Sequence, residues 1–305
     1  MTLPLAFSPE VAAARAAGRP LVALESTIVT HGMPWPQNLE TARAVEDDVR
    51  GAGAVPATIA AMEGVIHIGL APDRLEQLAR AEGVVKLSRA DLAVCLAQGR
   101  TGATTVAATM IAAHLAGIAV FATGGIGGVH RGAETSFDIS ADLQELARTP
   151  VTVVAAGAKA ILDLGKTLEV LETLGVPVIA MGQDAFPAFW SRDSGLQAPL
   201  RLDDPVAIAA AHAMRARLGI AGGQLVANPI PTADEIPAAE LAPLIAQVQA
   251  EAGAAGITGK AVTPFLLQRI LSLTAGRSLA ANIALVRSNA RLAAAIAVAL
   301  ADGDN

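Results

Sequence analysis

The stretch VTVVAAGAKAILDLGKTLEVLETLGVPVIAM, residues 151–181, decides the fold class. Its first apolar run, residues 151–156, has the composition of a buried strand, and a helical pattern follows Gly157 and Lys159. A second apolar run, residues 176–181, comes after the helix. Parallel strands need such a crossover connection. The stretch therefore predicts a β-α-β unit, with Lys159 at the junction between strand and helix.

The rest of the chain continues this alternation of strands and helices. Further strands are predicted at residues 20–27, within 57–70, at 118–122 and at 223–231, and helices at 37–51, from residue 72, at 104–116 and at 140–148. The pattern indicates an α/β protein with helices on both faces of a mostly parallel sheet. No linker divides the chain. We predict a single catalytic domain, residues 1–305, with a sheet-forming part over about 20–231 and a helical part over about 232–305.

The composition excludes several functional classes. The 305 residues are 53% apolar and 16% charged, which excludes a disordered chain. A net charge of −6 without a basic run argues against non-specific nucleic-acid binding. Cys95 is the one cysteine, so the chain has no intramolecular disulfide and no cysteine-based zinc site. With no signal-peptide pattern at the N-terminus, we expect a cytoplasmic protein.

Residues 104–129 form a long uncharged run that resembles a membrane span in a hydropathy window. The run divides at Gly117 into a helix-like half and a β-branched half that ends in glycines. His114 and several threonines would face lipid at a cost. We therefore predict a buried helix that leads into a buried strand, and no membrane partner.

A glycine-rich segment follows the strand predicted at residues 118–122. Glycines let backbone N–H groups approach a ligand, and ligands in open α/β sheets bind at the carboxyl ends of strands. The segment ATGGIGGVHRGAETSFDISADL also carries His130, Arg131, Asp138, Ser140 and Asp142. Carboxylates there can hold a hard cation, and Ser140, as the N-cap of a helix, suits an anion such as phosphate. A tight structural loop is the alternative, and the glycine spacing does not fit a nicotinamide cofactor.

Three further segments place polar residues near predicted strand ends, and Asn282 lies in the C-terminal helical pattern. Glu25, in LESTIVTHGMPWPQNLE, can act as a general acid or as a hydrogen-bonded structural carboxylate. Lys86 and Arg89 suit a phosphate or form a solvated surface pair. A desolvated Lys159 can form a Schiff base with a sugar carbonyl, whereas a solvated lysine at a helix start has no such role. Asn282 can contact a polar ring or lie on a helix surface.

Taken together, these segments resemble one protein family over nearly the whole chain, from about Leu21 to the C-terminal helix. The segments that carry the resemblance are ALESTIVTHGMPWPQNLE, KLSRADL, GATTVAATM, FATGGIGGVHRGAETSFDISADL, AAGAKAILDLGKTLEVLETLGVPV, FPAFW, ANPIP and TGKAVTPFLL. They are similar to the pseudouridine-5′-phosphate glycosidases, also called the indigoidine synthase A-like family. Each segment is long and specific.

The resemblance implies a reaction and an assembly. The family cleaves the bond between ribose C1′ and uracil C5 in pseudouridine 5′-phosphate, which gives uracil and ribose 5-phosphate. It uses a divalent cation, usually Mn²⁺. It also implies a three-layer α/β/α sandwich and a homotrimer.

Residue roles are implied position by position. Glu25 matches the proton donor of the family, Lys159 its covalent nucleophile and Asp138 its metal ligand. The implied substrate-binding positions are Lys86, Val106, Ser140, Ala141 and Asp142, with Asn282, Thr123 and His130 near the uracil. Asp142, four residues from Asp138, can face the same site and act as a base. The chain departs from the family at Val170 and near Met181, where aromatic residues are common.

The residue types suit the implied chemistry. Uracil C5 is a poor leaving group, so we expect a ring-opened ribose and an imine on Lys159, because covalent catalysis divides one difficult step into two. Two alternatives stay open. An aldolase-like or isomerase activity on a phosphosugar could use the same lysine, and release of free uracil distinguishes it. A non-catalytic nucleotide-binding or pigment-pathway accessory protein would show no turnover.

Overall fold

The apolar segments of the sequence form the strands of one sheet. The computed structural model describes residues 3–303; residues 1, 2, 304 and 305 of the predicted domain lie outside the described residues. The strands are β1 (Leu5–Phe7), β2 (Leu21–Leu24), β3 (Val55–Met62), β4 (Val65–Ile68), β5 (Val85–Leu87), β6 (Gly102–Thr104), β7 (Val120–Ala122), β8 (Thr152–Ala155), β9 (Val178–Met181), β10 (Leu200–Leu202) and β11 (Gln224–Ala227).

Helices connect these strands and form the C-terminal part of the chain. They are α1 (Pro9–Ala16), α2 (Thr27–His31), α3 (Gln37–Gly51), α4 (Pro72–Arg80), α5 (Arg89–Ala97), α6 (Val106–Leu115), α7 (Ala133–Ser136), α8 (Ala141–Arg148), α9 (Leu164–Thr173), α10 (Pro205–Arg217), α11 (Ala238–Ala254), α12 (Val262–Leu273) and α13 (Arg277–Gly303). The structure therefore confirms the predicted alternation and the helical C-terminal part.

The sheet is mostly parallel. Its strand order is β1-β4-β3-β2-β7-β8-β11-β9-β10, with β6 also paired to β3 and β5 to β6. Within the described strands, β3 pairs antiparallel with β4 and β6, and the other pairs are parallel. The strands β2, β7 and β8 are neighbours, so their carboxyl ends meet at one edge of the sheet.

Helices cover both faces of the sheet, as a three-layer α/β/α sandwich requires. The helix α13 packs against both α3 and α10, and it lies along β2, β7 and β8. The helix α6 packs against β2, β3 and β7 and against α5 and α8. Strands such as β3 and β8 are buried along their whole length, which explains their continuous apolar sequence.

Two predicted helices begin later than expected. Thr104, the first residue of the helix predicted at 104–116, is the last residue of β6, and α6 begins at Val106. The helix predicted after Gly157 and Lys159 begins only at Leu164, because the Asp163 side chain accepts a hydrogen bond from Lys166 N at 3.0 Å and caps the helix there. Lys159 therefore lies in a loop and not at a helix start.

The apolar run at residues 104–129 is not one long helix. It contains α6 and β7, as expected for a buried helix that leads into a buried strand. Among the described helices, α13 is long and apolar enough to cross a membrane by length and composition alone. This helix packs along the sheet and against α3 and α10, which is the position of a core helix.

Candidate active site

A cavity of about 540 Å³ lies at the carboxyl ends of β2, β7 and β8. Its size is in the range of small-molecule sites. The structure brings together most of the site residues predicted from the sequence. Those that line the cavity are Glu25, Lys86, Val106, His130, Asp138, Ser140, Ala141, Asp142, Lys159 and Asn282. Thr123 lines a smaller adjoining cavity, which also borders Glu25.

The Glu25 carboxyl group is held between two threonine hydroxyls. Glu25 directly follows β2, and Thr27 begins the short helix α2. The Thr27 hydroxyl bonds to Oε2 of Glu25, and the Thr123 hydroxyl bonds to Oε1. A hydroxyl can donate to a carboxylate and can accept from a carboxylic acid. The pair can therefore hold Glu25 in either protonation state.

Lys159 lies on a loop that is joined to the glycine-rich segment. The Lys159 backbone N–H donates to the carbonyl oxygen of Ile126 at 3.1 Å, and the Ile126 N–H donates to the carbonyl oxygen of Gly157 at 3.1 Å. Gly157 has φ of +83°, and a Cβ there would lie 2.5 Å from the Pro187 carbonyl oxygen. Glycine is therefore required at the turn that directs Lys159 toward the cavity.

Three helices begin at the cavity wall. Ser88, before α5, Val106, the first residue of α6, and Ala141, the first residue of α8, all line the cavity. Helix N-termini carry unpaired backbone N–H groups and a partial positive charge, which favour an anion. With Lys86 in the same wall, this end of the cavity can bind a phosphate.

The Asp142 side chain, at the start of α8, holds the start of α6 and the glycine-rich loop in place. Its Oδ1 accepts a hydrogen bond from Ala107 N at 3.0 Å, and its Oδ2 accepts one from Gly127 N at 2.8 Å. A Cβ at Gly127 would lie 2.2 Å from the Ser140 hydroxyl oxygen, so the loop packs directly on the start of α8. The catalytic-base role of Asp142 stays a prediction, and these two bonds support a role as an anchor.

The cavity also holds a group of interacting charges. Burial lowers the pKa of His130 below its usual range. The positive charges of Lys159 and Lys86 lower this pKa further, and the Asp138 carboxylate opposes them. The three charged groups therefore lie close enough to His130 to act on it, and all four residues line the cavity.

The donor set for a metal ion is small. Among residues 3–303, no cluster of three or more His, Cys, Asp or Glu side chains is arranged to hold a metal. The Asp138 carboxylate lines the cavity, and no part of the described chain donates a hydrogen bond to it. A cation here would take one protein carboxylate and complete its shell with water and substrate oxygens, as Mg²⁺ often does.

Arg89 is separated from the predicted phosphate site. Its guanidinium group donates to both carboxylate oxygens of Glu145, at 2.6 and 2.8 Å, and thereby joins α5 to α8. Glu145 is 1% exposed and also accepts a hydrogen bond from Thr149. Of the two cations that the sequence offered for a phosphate, only Lys86 lines the cavity.

Sequence reasoning missed several residues that shape the site. Thr27 stands in the quoted segment around Glu25, two residues after it. The Thr105 hydroxyl is buried and has no hydrogen-bond partner in the described part of the chain, although Thr105 lines the cavity. Asn289, on α13, donates from its side chain to the carbonyl oxygen of Thr123 at 2.8 Å and accepts from Asn228 at 2.9 Å. The contacts of Asn289 join residues far apart in the sequence, so no local sequence pattern could have predicted them.

Comparison with known proteins places this chain in a family. The family model for "Indigoidine synthase A like protein" matches residues 10–299. The chain is 75% identical over 298 residues to "Pseudouridine-5′-phosphate glycosidase" of Roseobacter denitrificans, covering 98% of this chain and 96% of the relative. It is 73% identical to the protein of the same name from Paracoccus denitrificans, covering 97% and 98%.

Two solved structures share the fold along their whole length. The crystal structure of the prealnumycin C-glycosynthase AlnA in complex with ribulose 5-phosphate has a TM-score of 0.92 and 40% identity, covering 100% of this chain and 99% of that chain. An indigoidine synthase A-like protein from Thermotoga maritima has a TM-score of 0.89 and 34% identity, covering 98% and 97%.

Proposed function

The chain belongs to the indigoidine synthase A-like family, and we propose that it is a pseudouridine-5′-phosphate glycosidase. It would cleave, reversibly, the bond between C1′ of the ribose and C5 of the uracil, giving uracil and ribose 5-phosphate. The observation that carries the proposal is the 75% identity, over 98% of the chain, to a relative of that name. The cavity supports it, because it combines a carboxyl group, a lysine and an anion-binding wall.

The substrate phosphate would lie against the helix starts. Lys86 and the N-termini of α6 and α8 together favour a dianion. The unpaired Thr105 hydroxyl beside Val106 can donate one further hydrogen bond. A phosphate held there directs the ribose toward Glu25 and Lys159.

Glu25 would act first as a general acid. It protonates the ribose ring oxygen, and the bond from that oxygen to C1′ breaks while electrons from the uracil ring make C1′ electrophilic. The threonine hydroxyls on either side of Glu25 hold the carboxyl group through this change of protonation state.

Lys159 would then form the covalent intermediate. Its neutral amine adds to C1′, and C5 of the uracil takes up a proton. The lone pair of the lysine nitrogen forms the C1′=N bond as the electron pair of the C1′–C5 bond passes to the uracil ring. Water hydrolyses the imine and releases open-chain ribose 5-phosphate.

A divalent cation, most simply Mn²⁺, would be held by Asp138. Carboxylates and water are ligands that suit Mn²⁺. The bound ion would neutralise negative charge on substrate oxygens and orient them. Removal of metal with a chelator should abolish turnover, and Mn²⁺ should restore it. Asp138→Asn should weaken Mn²⁺ binding measured by electron paramagnetic resonance. Unchanged affinity would refute this role of Asp138.

We also propose a homotrimer that works in the cytoplasm, in line with the family resemblance. Light scattering during gel filtration measures the mass directly. A species of roughly three times the 30.8 kDa chain mass is expected, and a species of one or two chain masses would refute the trimer.

The test of the function is the release of free base. The purified protein with Mn²⁺ and pseudouridine 5′-phosphate should produce uracil and ribose 5-phosphate, separated by chromatography. Lys159→Ala should reduce the rate by at least roughly 10³-fold and still bind the nucleotide. Turnover of phosphosugars without uracil release would favour the aldolase or isomerase alternative. Binding without any turnover would favour an accessory protein.

A further inference from the structure

The Asn282 side chain is paired with a buried tryptophan. Asn282 lies on α13 and lines the cavity. The indole Nε1 of Trp190 lies 2.8 Å from Oδ1 of Asn282 and 3.2 Å from the carbonyl oxygen of Ser278, one turn earlier in the same helix. The contact joins residues 92 positions apart and connects the loop after β9 to the cavity-facing side of α13.

The identity of the paired atom follows from chemistry. An indole N–H is a hydrogen-bond donor and has no acceptor function. The amide atom that contacts Trp190 is therefore the carbonyl oxygen, and the opposite rotamer would place N–H against N–H. The Nδ2 amino group of Asn282 meets no acceptor in the described part of the chain, so its two N–H groups are left for whatever occupies the cavity.

Trp190 is held rigidly enough to impose this orientation. It is 1% exposed, and its ring packs edge-on against Phe189 with 5.0 Å between ring centroids. The carbonyl oxygen of Trp190 accepts a hydrogen bond from Ile236 N at 2.9 Å, and the neighbouring Ser191 hydroxyl donates to the carbonyl oxygen of Ile236 at 2.6 Å. Rotation of the indole would break this packing.

We propose that Trp190 is a positioning residue that locks Asn282 as a hydrogen-bond donor toward the base, so that the site accepts a base with a carbonyl group at that edge and rejects one with an amino group there. The inference rests on the proposed function, in which the occupant is the uracil ring. Uracil offers two carbonyl oxygens, at C2 and C4. If the carbonyl group that faces Asn282 were replaced by an amino group, N–H donors of the base and of Asn282 would face each other in a desolvated site.

The penalty for that mismatch is large. A site built to hydrogen-bond one group rejects an analogue that leaves its buried polar atoms unpaired by roughly 10²-fold or more. Asn282→Asp reverses the pattern. One carboxylate oxygen still accepts from Trp190, and the other presents an acceptor to the cavity. This variant should therefore prefer an amino-substituted base.

The experiment compares three substrates and four proteins. The substrates are the 5′-phosphates of pseudouridine, of pseudocytidine, with an amino group at C4, and of pseudoisocytidine, with an amino group at C2. Wild type, Trp190→Phe, Asn282→Asp and the control Trp35→Phe are assayed for kcat/KM on each. The ratio of preferences between two proteins cancels the intrinsic reactivity of each base and any difference in active fraction.

Asn282→Asp should shift the preference toward one of the two amino-substituted substrates by roughly 10²-fold or more. Trp190→Phe, in which the amide can rotate, should reduce the wild-type discrimination at the same position by about tenfold. Trp35, the other tryptophan, is 43% exposed and lies over Arg80, so its variant should keep the wild-type preference.

The inference and the proposed function fail differently. If wild type releases uracil but Asn282→Asp and Trp190→Phe leave the substrate preferences unchanged within about threefold, the positioning role of Trp190 is refuted and the glycosidase activity stands. If wild type releases no uracil, the proposed function is refuted and the inference with it.

Discussion

At the scale of single residues, Glu25 depends on its two threonine neighbours. Each hydroxyl bonds to a different carboxyl oxygen, one from Thr27 just after β2 and the other from Thr123 just after β7. Because β2 and β7 pair in parallel, the two hydroxyls approach the carboxyl group from different segments of the chain. The orientation of the Glu25 carboxyl group is therefore set by two neighbouring strand ends.

Thr123→Val tests this dependence with little change of volume. The variant should lower kcat by about 10- to 100-fold and change KM by less than about threefold, because the hydroxyl orients the acid and does not line the larger cavity. Uracil release at saturating substrate measures kcat, and thermal unfolding serves as the control for folding. A loss confined to KM would contradict a role through Glu25.

At the scale of elements, α13 positions the glycine-rich loop. Asn289 is fully buried, and its amide donates to the carbonyl oxygens of Thr123 and Gly124, at 2.8 and 3.4 Å. Its own carbonyl oxygen accepts from Asn228, which follows β11. Two amides thus connect the C-terminal helix, the end of β11 and the start of the loop that carries Thr123.

Asn289→Ala should destabilise the fold and slow catalysis together. It leaves the buried carbonyl oxygen of Thr123 without its donor and removes one of the two acceptors of the Asn228 amide, at a cost of about 2 to 3 kcal/mol in the free energy of unfolding. It should also lower kcat by about tenfold, because Thr123 is no longer held against Glu25.

Ser288→Ala is the matched control for Asn289→Ala. Ser288 accepts only one hydrogen bond from Asn228, at 3.1 Å, so it should cost less than about 1 kcal/mol. Denaturant unfolding and kcat are measured for both variants. Equal losses of stability and of kcat in the two variants would contradict a specific role of Asn289 in positioning Thr123.

The strands and helices also show how much of the fold could be predicted from the sequence. Apolar runs and their spacing were enough to predict β2, β7, β8 and the helices between them, because buried parallel strands have continuous apolar sequence. The site edge followed from the rule for strand ends. The start of α9 was missed because Asp163, which caps the helix, lies within the stretch AKAILDL, which also fits a helical pattern. The pairing of Trp190 with Asn282 joins distant segments, and no local pattern encodes it.

At the scale of the whole molecule, a half-buried histidine couples stability to pH. His67, on β4, is half-buried, and its pKa is lowered first by desolvation and then by the charge of Arg74, against the opposing charge of Glu63. Between that lowered value and the usual histidine pKa of about 6.5, the unfolded chain binds a proton that the folded chain does not. The contribution of His67 is therefore present above about pH 6.5 and is lost as the pH falls.

His67→Gln should flatten the pH dependence of stability. Between about pH 7.5 and about pH 5.5, the Tm of wild type should fall further than that of the variant, because the variant has no group at this position that binds a proton. Calorimetry at matched ionic strength gives both slopes. Other groups, such as Glu46 with its pKa raised by burial, are unchanged in the variant, so the difference isolates His67. Identical slopes would contradict the assignment.

The covalent role of Lys159 is the central claim for the molecule, and borohydride trapping tests it most directly. The chain has four lysines, so a trapped imine can be located by peptide mass spectrometry. Lys166, which is exposed and paired with Glu134 and Asp163, supplies a control variant, Lys166→Ala. With pseudouridine 5′-phosphate and borohydride, wild type and Lys166→Ala should gain the mass of one reduced ribose 5-phosphate at Lys159, and Lys159→Ala should gain none. Uracil release without an adduct, or an adduct on another lysine, would contradict the Schiff-base mechanism.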